Sequence, residues 1–198
     1  MGRGWVWAQA LATLGVAVIA GCSTAQSGGP PVNTAPDPRP RYEQALLGIT
    51  SHYPLAIRTA TSHGAEVDDC YGGDQWVSRL PNDEEVVGYN GSVYRRQGSG
   101  PFVRVGPADL DPAASLRREL LEALNENGTN FDYGQDSVRL YVMDLDGHGP
   151  ANVSLRISGG LLVGATVSPA QDPRTATAFT VAYRVTLPPF TYREELQQ

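Results

Sequence analysis

Asn152 to Val167 reads NVSLRISGGLLVGATV, and its spacing decides the fold class. Val153, Leu155 and Ile157 recur at every second position, with Asn152, Ser154 and Arg156 between them. Ser158-Gly159-Gly160 interrupts the pattern, and Leu161, Val163, Ala165 and Val167 then resume it. A period of two belongs to an extended chain whose side chains alternate between faces, so two strands joined by a tight turn are predicted. Ser137–Leu145 upstream and Ala178–Leu187 downstream are further strand candidates. In the latter, Phe179, Val181, Tyr183, Val185 and Leu187 share a face. One apolar and one polar face marks an antiparallel sheet with a core on one side.

Other stretches add to this sheet and supply its cover. In EEVVGYNGSVYRR, Glu84 to Arg96, the dipeptide Asn90-Gly91 accepts positive φ at both centres of a two-residue turn. Glu85–Tyr89 is therefore expected to pair with Ser92–Arg96. Pro54–Gly64, Gln75–Leu80 and Phe102–Val105 read as further strands, and Tyr42–Ile49 as a short helix. One long helix is clear in DPAASLRRELLEALNENG. Asp111 is its N-cap, Pro112 opens it, and Gly128 stops it. Leu116, Leu120, Leu121 and Leu124 form its apolar stripe, while Arg117, Arg118, Glu119 and Glu122 read as a solvated face. The expected fold class is α+β: an antiparallel sheet, open to curling into a half-barrel, packed against one main amphipathic helix.

The amino-terminal region has a different character. Trp5 to Ala20 is mostly apolar behind a single Arg3, which describes an export signal too short to span a bilayer comfortably. It ends in Ile19-Ala20-Gly21-Cys22, which resembles the lipobox of bacterial lipoproteins. The resemblance implies cleavage before Cys22 and a diacylglycerol thioether, with further acylation such as palmitate, on that cysteine. Ser23 to Arg41, rich in Pro, Gly, Ser and Thr, cannot bury enough apolar surface to order itself. The expected organisation is a lipoprotein signal peptide at 1–21, a lipidated flexible linker at 22–41 and a single α+β domain at 42–198. The membrane is then a partner through the Cys22 anchor, and the expected location is the outer face of the cytoplasmic membrane.

Composition narrows the function. The formal net charge is −6 over 198 residues, which argues against nucleic acid as a partner. All 15 basic residues counted as Lys and Arg are arginine, which removes every chemistry that needs a lysine. With Cys22 lipidated, Cys70 has no partner in the chain. It is either an inert buried thiol or the site of an intermolecular disulfide. Asp144 to Asn152, DLDGHGPAN, has some of the spacing of a calcium loop, but Leu155 stands where a bidentate acid is needed, so it reads as a turn. His52 and His63 stand alone, and Asp68-Asp69 and Glu84-Glu85 read as solvated charge. No metal, cofactor or catalytic constellation is expected.

VVGYNGSVYRRQGSGPFVRVG, Val86 to Gly106, and ANVSLRISGGLLVGATV with FTVAYRVTLPP resemble parts of the actinobacterial glycolipid-carrier lipoproteins. The resemblance implies a half-barrel of antiparallel strands that holds acyl chains. The expected function is non-catalytic binding of a lipid or other hydrophobic ligand, with Leu155, Ile157, Val163, Phe179, Val181, Tyr183 and Val185 lining the cavity. The alternative is a protein-interaction or assembly module of the cell envelope.

Overall fold

The period-two segments do pair into one sheet. A computed structural model of the chain describes residues 37–72, 74–108, 111–126, 131–134, 136–145 and 149–197. The signal, Cys22 and most of the expected linker lie outside them. Helix α1 (Arg39–Leu47) begins inside the stretch read as linker, where Arg39 is paired with Asp37 and Arg41 with Asp136. Among the described residues eleven strands form a single antiparallel sheet. In chain order these are β1 (Leu55–Thr61), β2 (Gly64–Gly72), β3 (Gln75–Arg79), β4 (Glu84–Tyr89), β5 (Ser92–Gln97) and β6 (Val103–Pro107). After helix α2 (Pro112–Glu126) come β7 (Phe131–Tyr133), β8 (Ser137–Val142), β9 (Ala151–Ser158), β10 (Leu161–Pro169) and β11 (Thr177–Tyr183).

The spatial order is β6-β5-β4-β3-β2-β1-β11-β10-β9-β8-β7. Each half is a meander of sequential neighbours, and the β1–β11 pair joins the two halves. The outer strands β6 and β7 do not pair with each other, so the sheet is not closed. The expected α+β class with a large antiparallel sheet is what the chain adopts. The Asn90-Gly91 turn has positive φ at both residues and sets Tyr89 opposite Ser92.

Helix α2 connects the two meanders and covers part of one face. Asp111 caps it: its Oδ1 accepts from the Ala114 N–H at 2.6 Å, and its Oδ2 accepts from the Tyr53 hydroxyl at 2.6 Å. Leu116, Leu120, Ala123 and Leu124 are buried against the sheet, and α1 packs on both α2 and β10. The core under the helices contains Leu46, Ile49, Leu55, Ile57, Val138, Leu155, Ile157, Leu162 and Val181. The opposite face of β2–β5 carries a second cluster. There Val77, Val87 and Tyr89 are covered by Phe190, Tyr192 and Leu196 of the C-terminal segment. The tail thus covers the face of β2–β5 that points away from the helices. Among the described residues no helix is long and apolar enough to cross a membrane.

Three local expectations are corrected. Strand β2 is not among the expected strands, because its two adjacent aspartates read as solvated charge. Asp68 and Asp69 are both buried, one on each face, so they are not solvated charge; Glu84 and Glu85 are likewise half-buried and ion-paired with arginines. A β-bulge between Leu162 and Gly164 shifts the register of β10. It puts Leu162 opposite Ile157 and into the core, and takes Val163 off the face that alternation assigned to it. Finally, β11 stops at Tyr183, where Arg184 has φ of 52°, so Val185 lies beyond the sheet.

Candidate functional site

The expected ligand face is mostly core. Leu155, Ile157 and Val181 are nearly inaccessible beneath α1 and α2. Tyr183 is half-buried, and its hydroxyl donates to the Leu162 carbonyl at 2.8 Å. Val163 and Val185 are displaced for the reasons just given. Of this set Leu155 and Phe179 border a groove of about 330 Å³ on β8–β11, and Phe179 also opens onto a larger cavity.

That cavity lies beside the first turns of α2, over β1–β4 and the start of β11, and measures about 410 Å³. Its position follows from strand register. Ile57, Asp68, Ser78 and Val86 lie in one row across β1, β2, β3 and β4, and Thr59 pairs with both Glu66 and Phe179. All of these line the cleft, with Trp76 and Leu80 from β3 and its end. Pro112, Ser115, Leu116 and Glu119 form the helix wall, at positions that share one face of α2. A helix about 10 Å across cannot cover strands spaced about 4.8 Å apart over this width, so a strip of sheet stays open. A second cleft of about 270 Å³ shares Glu119 with the first and extends the opening toward Ala151, Val167 and Thr177.

Trp76 is fixed by a glycine. A Cβ on Gly88 would stand 2.1 Å from Trp76 Nε1, so the indole lies directly on the β4 backbone. The apolar walls are Ile57, Trp76, Leu80, Val86, Leu116 and Phe179.

The polar part of the cleft is acidic. Asp68 is 5% exposed and accepts a hydrogen bond from the Ser78 hydroxyl at 2.5 Å. Burial pushes its pKa up to about 7, the Ser78 hydrogen bond opposes this, and the charges of Glu66 and Asp69 add to it. Burial also raises Glu66 above the usual carboxylate range. Asp69, on the opposite face, is paired with Arg79 at 2.6 Å. No basic residue lines the cleft among the described residues.

Sequence reasoning missed Glu66, Asp68, Trp76 and Ser78. The signal was present in GAEVDDCYG, where Glu66, Asp68 and Cys70 alternate with Val67, Asp69 and Tyr71. Polarity hid it, because both aspartates are buried. Cys70 is free and fully buried. Burial first, then the charges of Asp111 and Asp68, hold its thiol well above the ordinary range. The intermolecular-disulfide alternative therefore meets an enclosed, un-ionised sulfur. His63 is exposed, and His52 packs edge-on to Tyr183. Asp146, Gly147 and His148 of the calcium-like loop lie outside the described residues; Asp144 Oδ1 accepts from the Gly149 N–H at 2.9 Å.

No family model matches the chain, and no curated protein matches it. Among solved structures it is similar to a LolA superfamily protein from Nitrosomonas europaea. The identity is 11%, 74% of this chain and 94% of that one are covered, and the TM-score is 0.28. It is also similar to a DUF1329 family protein from Desulfovibrio piger, at 10% identity, 76% and 94% coverage and a TM-score of 0.30. Neither alignment assigns a function.

Proposed function

We propose that this protein is an exported, membrane-anchored carrier that binds a hydrophobic ligand without catalysis, in the cleft beside α2. The observation that carries this reading is the cleft itself. Its volume of about 410 Å³ exceeds the roughly 300 Å³ at which ligand pockets begin, and Trp76, Ile57, Leu80, Val86, Leu116 and Phe179 give it apolar walls. The ligand site thus moves from the face expected on alternation to the neighbouring strip, with Phe179 common to both. Extraction and mass spectrometry of the protein purified from cells that export it test the reading. A stoichiometric hydrophobic molecule is expected from the native chain. Thr59→Trp, which fills the cleft from β1, should lose it while keeping its circular dichroism. An empty native protein, or equal loading of Thr59→Trp, contradicts the reading.

The anchor is proposed on Ile19-Ala20-Gly21-Cys22 at the end of an apolar export-type run. It would hold the protein at the outer face of the cytoplasmic membrane by a diacylglycerol thioether on Cys22, and two or more acyl chains are needed for firm attachment. Cys22→Ser should move the protein from the membrane to the soluble fraction. Retention in the membrane with unchanged mass contradicts the assignment.

One observation favours the alternative of an assembly module. Among the described residues strand β6 is a free sheet edge, and its Val103 and Val105 are 60% and 54% exposed. Such an edge is a template for strand addition by a partner. Val103→Lys with Val105→Lys would abolish that assembly and leave ligand content unchanged.

A further inference from the structure

We infer that the cleft selects its ligand by head-group charge, accepting an amphiphile with an ammonium head and rejecting one with a carboxylate or phosphate head. This inference rests on the carrier reading and adds the ligand class.

The argument starts from Asp68. Its carboxyl lies in the cleft beside Ile57 and Trp76, shares a hydrogen bond with the Glu66 carboxyl, and accepts another from the Ser78 hydroxyl. A buried carboxylate is costly unless a cation balances it. The residues facing it supply no cation: β2 contributes Glu66, α2 contributes Glu119 and Ser115, β1 contributes Ile57 and Thr59, and β4 contributes Val86. Arg79, the neighbouring arginine on β3, pairs with Asp69 and Glu85 on the other face. A ligand ammonium entering this cleft would take the place of the proton that Asp68 and Glu66 otherwise hold there. Trp76 strengthens the assignment, because an indole beside a carboxylate attracts ammonium through its ring face as well. Asp68 and Glu66 repel an anionic head, since like charges in a partly desolvated site interact strongly. The alkyl chain then lies along Leu116, Phe179 and Leu80.

Trp76 also provides the measurement. Only three tryptophans exist, and the other two are Trp5 and Trp7. In the full chain carrying Trp5→Phe and Trp7→Phe, emission reports on the cleft alone. Three probes of equal chain length, dodecylammonium, dodecanol and dodecanoate, are titrated below their micelle concentrations at mildly alkaline pH. Dodecylammonium should bind at least tenfold more tightly than dodecanol, and dodecanoate at least tenfold more weakly. Asp68→Asn, which keeps an oxygen for Ser78, should bring the ammonium and alcohol affinities within threefold. Glu66→Gln, at a half-buried position, should reduce the preference in the same direction. Equal affinities, a preference for dodecanoate, or an ammonium preference unchanged in both variants overturns the charge inference and leaves the carrier reading standing. No emission change with any probe overturns both.

Discussion

At the scale of single residues, Asp68 and Gly88 have the largest consequences. Asp68 ionises near 3.8 in the unfolded chain and at about 7 in the native protein. The unfolded state therefore releases its proton first as pH rises. Native stability from this group is fully present below about pH 4 and is lost as pH climbs through about 7, a change on the order of 4 kcal/mol. Asp68→Asn should flatten the fall in denaturation midpoint across that window, and should be the more stable protein above it. Part of the slope remains, because Glu66 is shifted in the same direction. An unchanged pH profile in the variant would contradict the buried placement of Asp68. Gly88 matters for the opposite reason, that it has no side chain. In Gly88→Ala the added methyl collides with Trp76, and the indole must move toward the cleft. The expected cost is about 1–3 kcal/mol in urea unfolding, with a shifted Trp76 emission. Alternation alone could not reveal either role. Asp68 looks like surface charge beside Asp69, and Gly88 looks like a poor strand residue.

Among the elements, the hairpin and α2 were legible because their signals are local. Asn90-Gly91 fixes a turn, and Asp111-Pro112 fixes a helix start, without help from distant residues. Strand β2 and the bulge in β10 were not legible. The first depends on partners that bury two carboxylates, and the second moves one residue out of a pattern that still looks regular. The C-terminal segment was also hidden, since FTVAYRVTLPP continues its alternation past the real strand end. Beyond Tyr183 the chain leaves the sheet edge-pairing and covers the face opposite the helices. Phe190 stacks on Tyr89 at 5.7 Å and meets Tyr71 edge-on at 5.4 Å. The Tyr192 hydroxyl donates to Glu85 at 2.7 Å, and Arg96 lies over Phe102 at 4.4 Å. Phe190→Ala should destabilise the domain by about 2 kcal/mol, less than a fully buried aromatic because the ring is half-buried. Ligand loading should not change, as the tail and the cleft lie on opposite faces. A fall in loading without a fall in stability would contradict this separation.

For the whole molecule, the fold class could be read from period-two spacing, whereas the site depends on how far two helices reach across a wide sheet. Eleven strands in one sheet exceed what α1 and α2 cover. The sequence shows the apolar face, but which part the helices leave open depends on where α2 crosses. Leu155, Ile157 and Val181 became core for that reason, and Phe179 alone reached the cleft. The central claim is that this uncovered strip holds a hydrophobic ligand. A crystal structure of the protein purified from exporting cells, without any delipidating step, tests it most directly. The account predicts continuous elongated density beside α2, in contact with Trp76, Leu116 and Phe179 and ending at Asp68. A cleft filled only by ordered water, or a ligand bound elsewhere on the sheet, would contradict it.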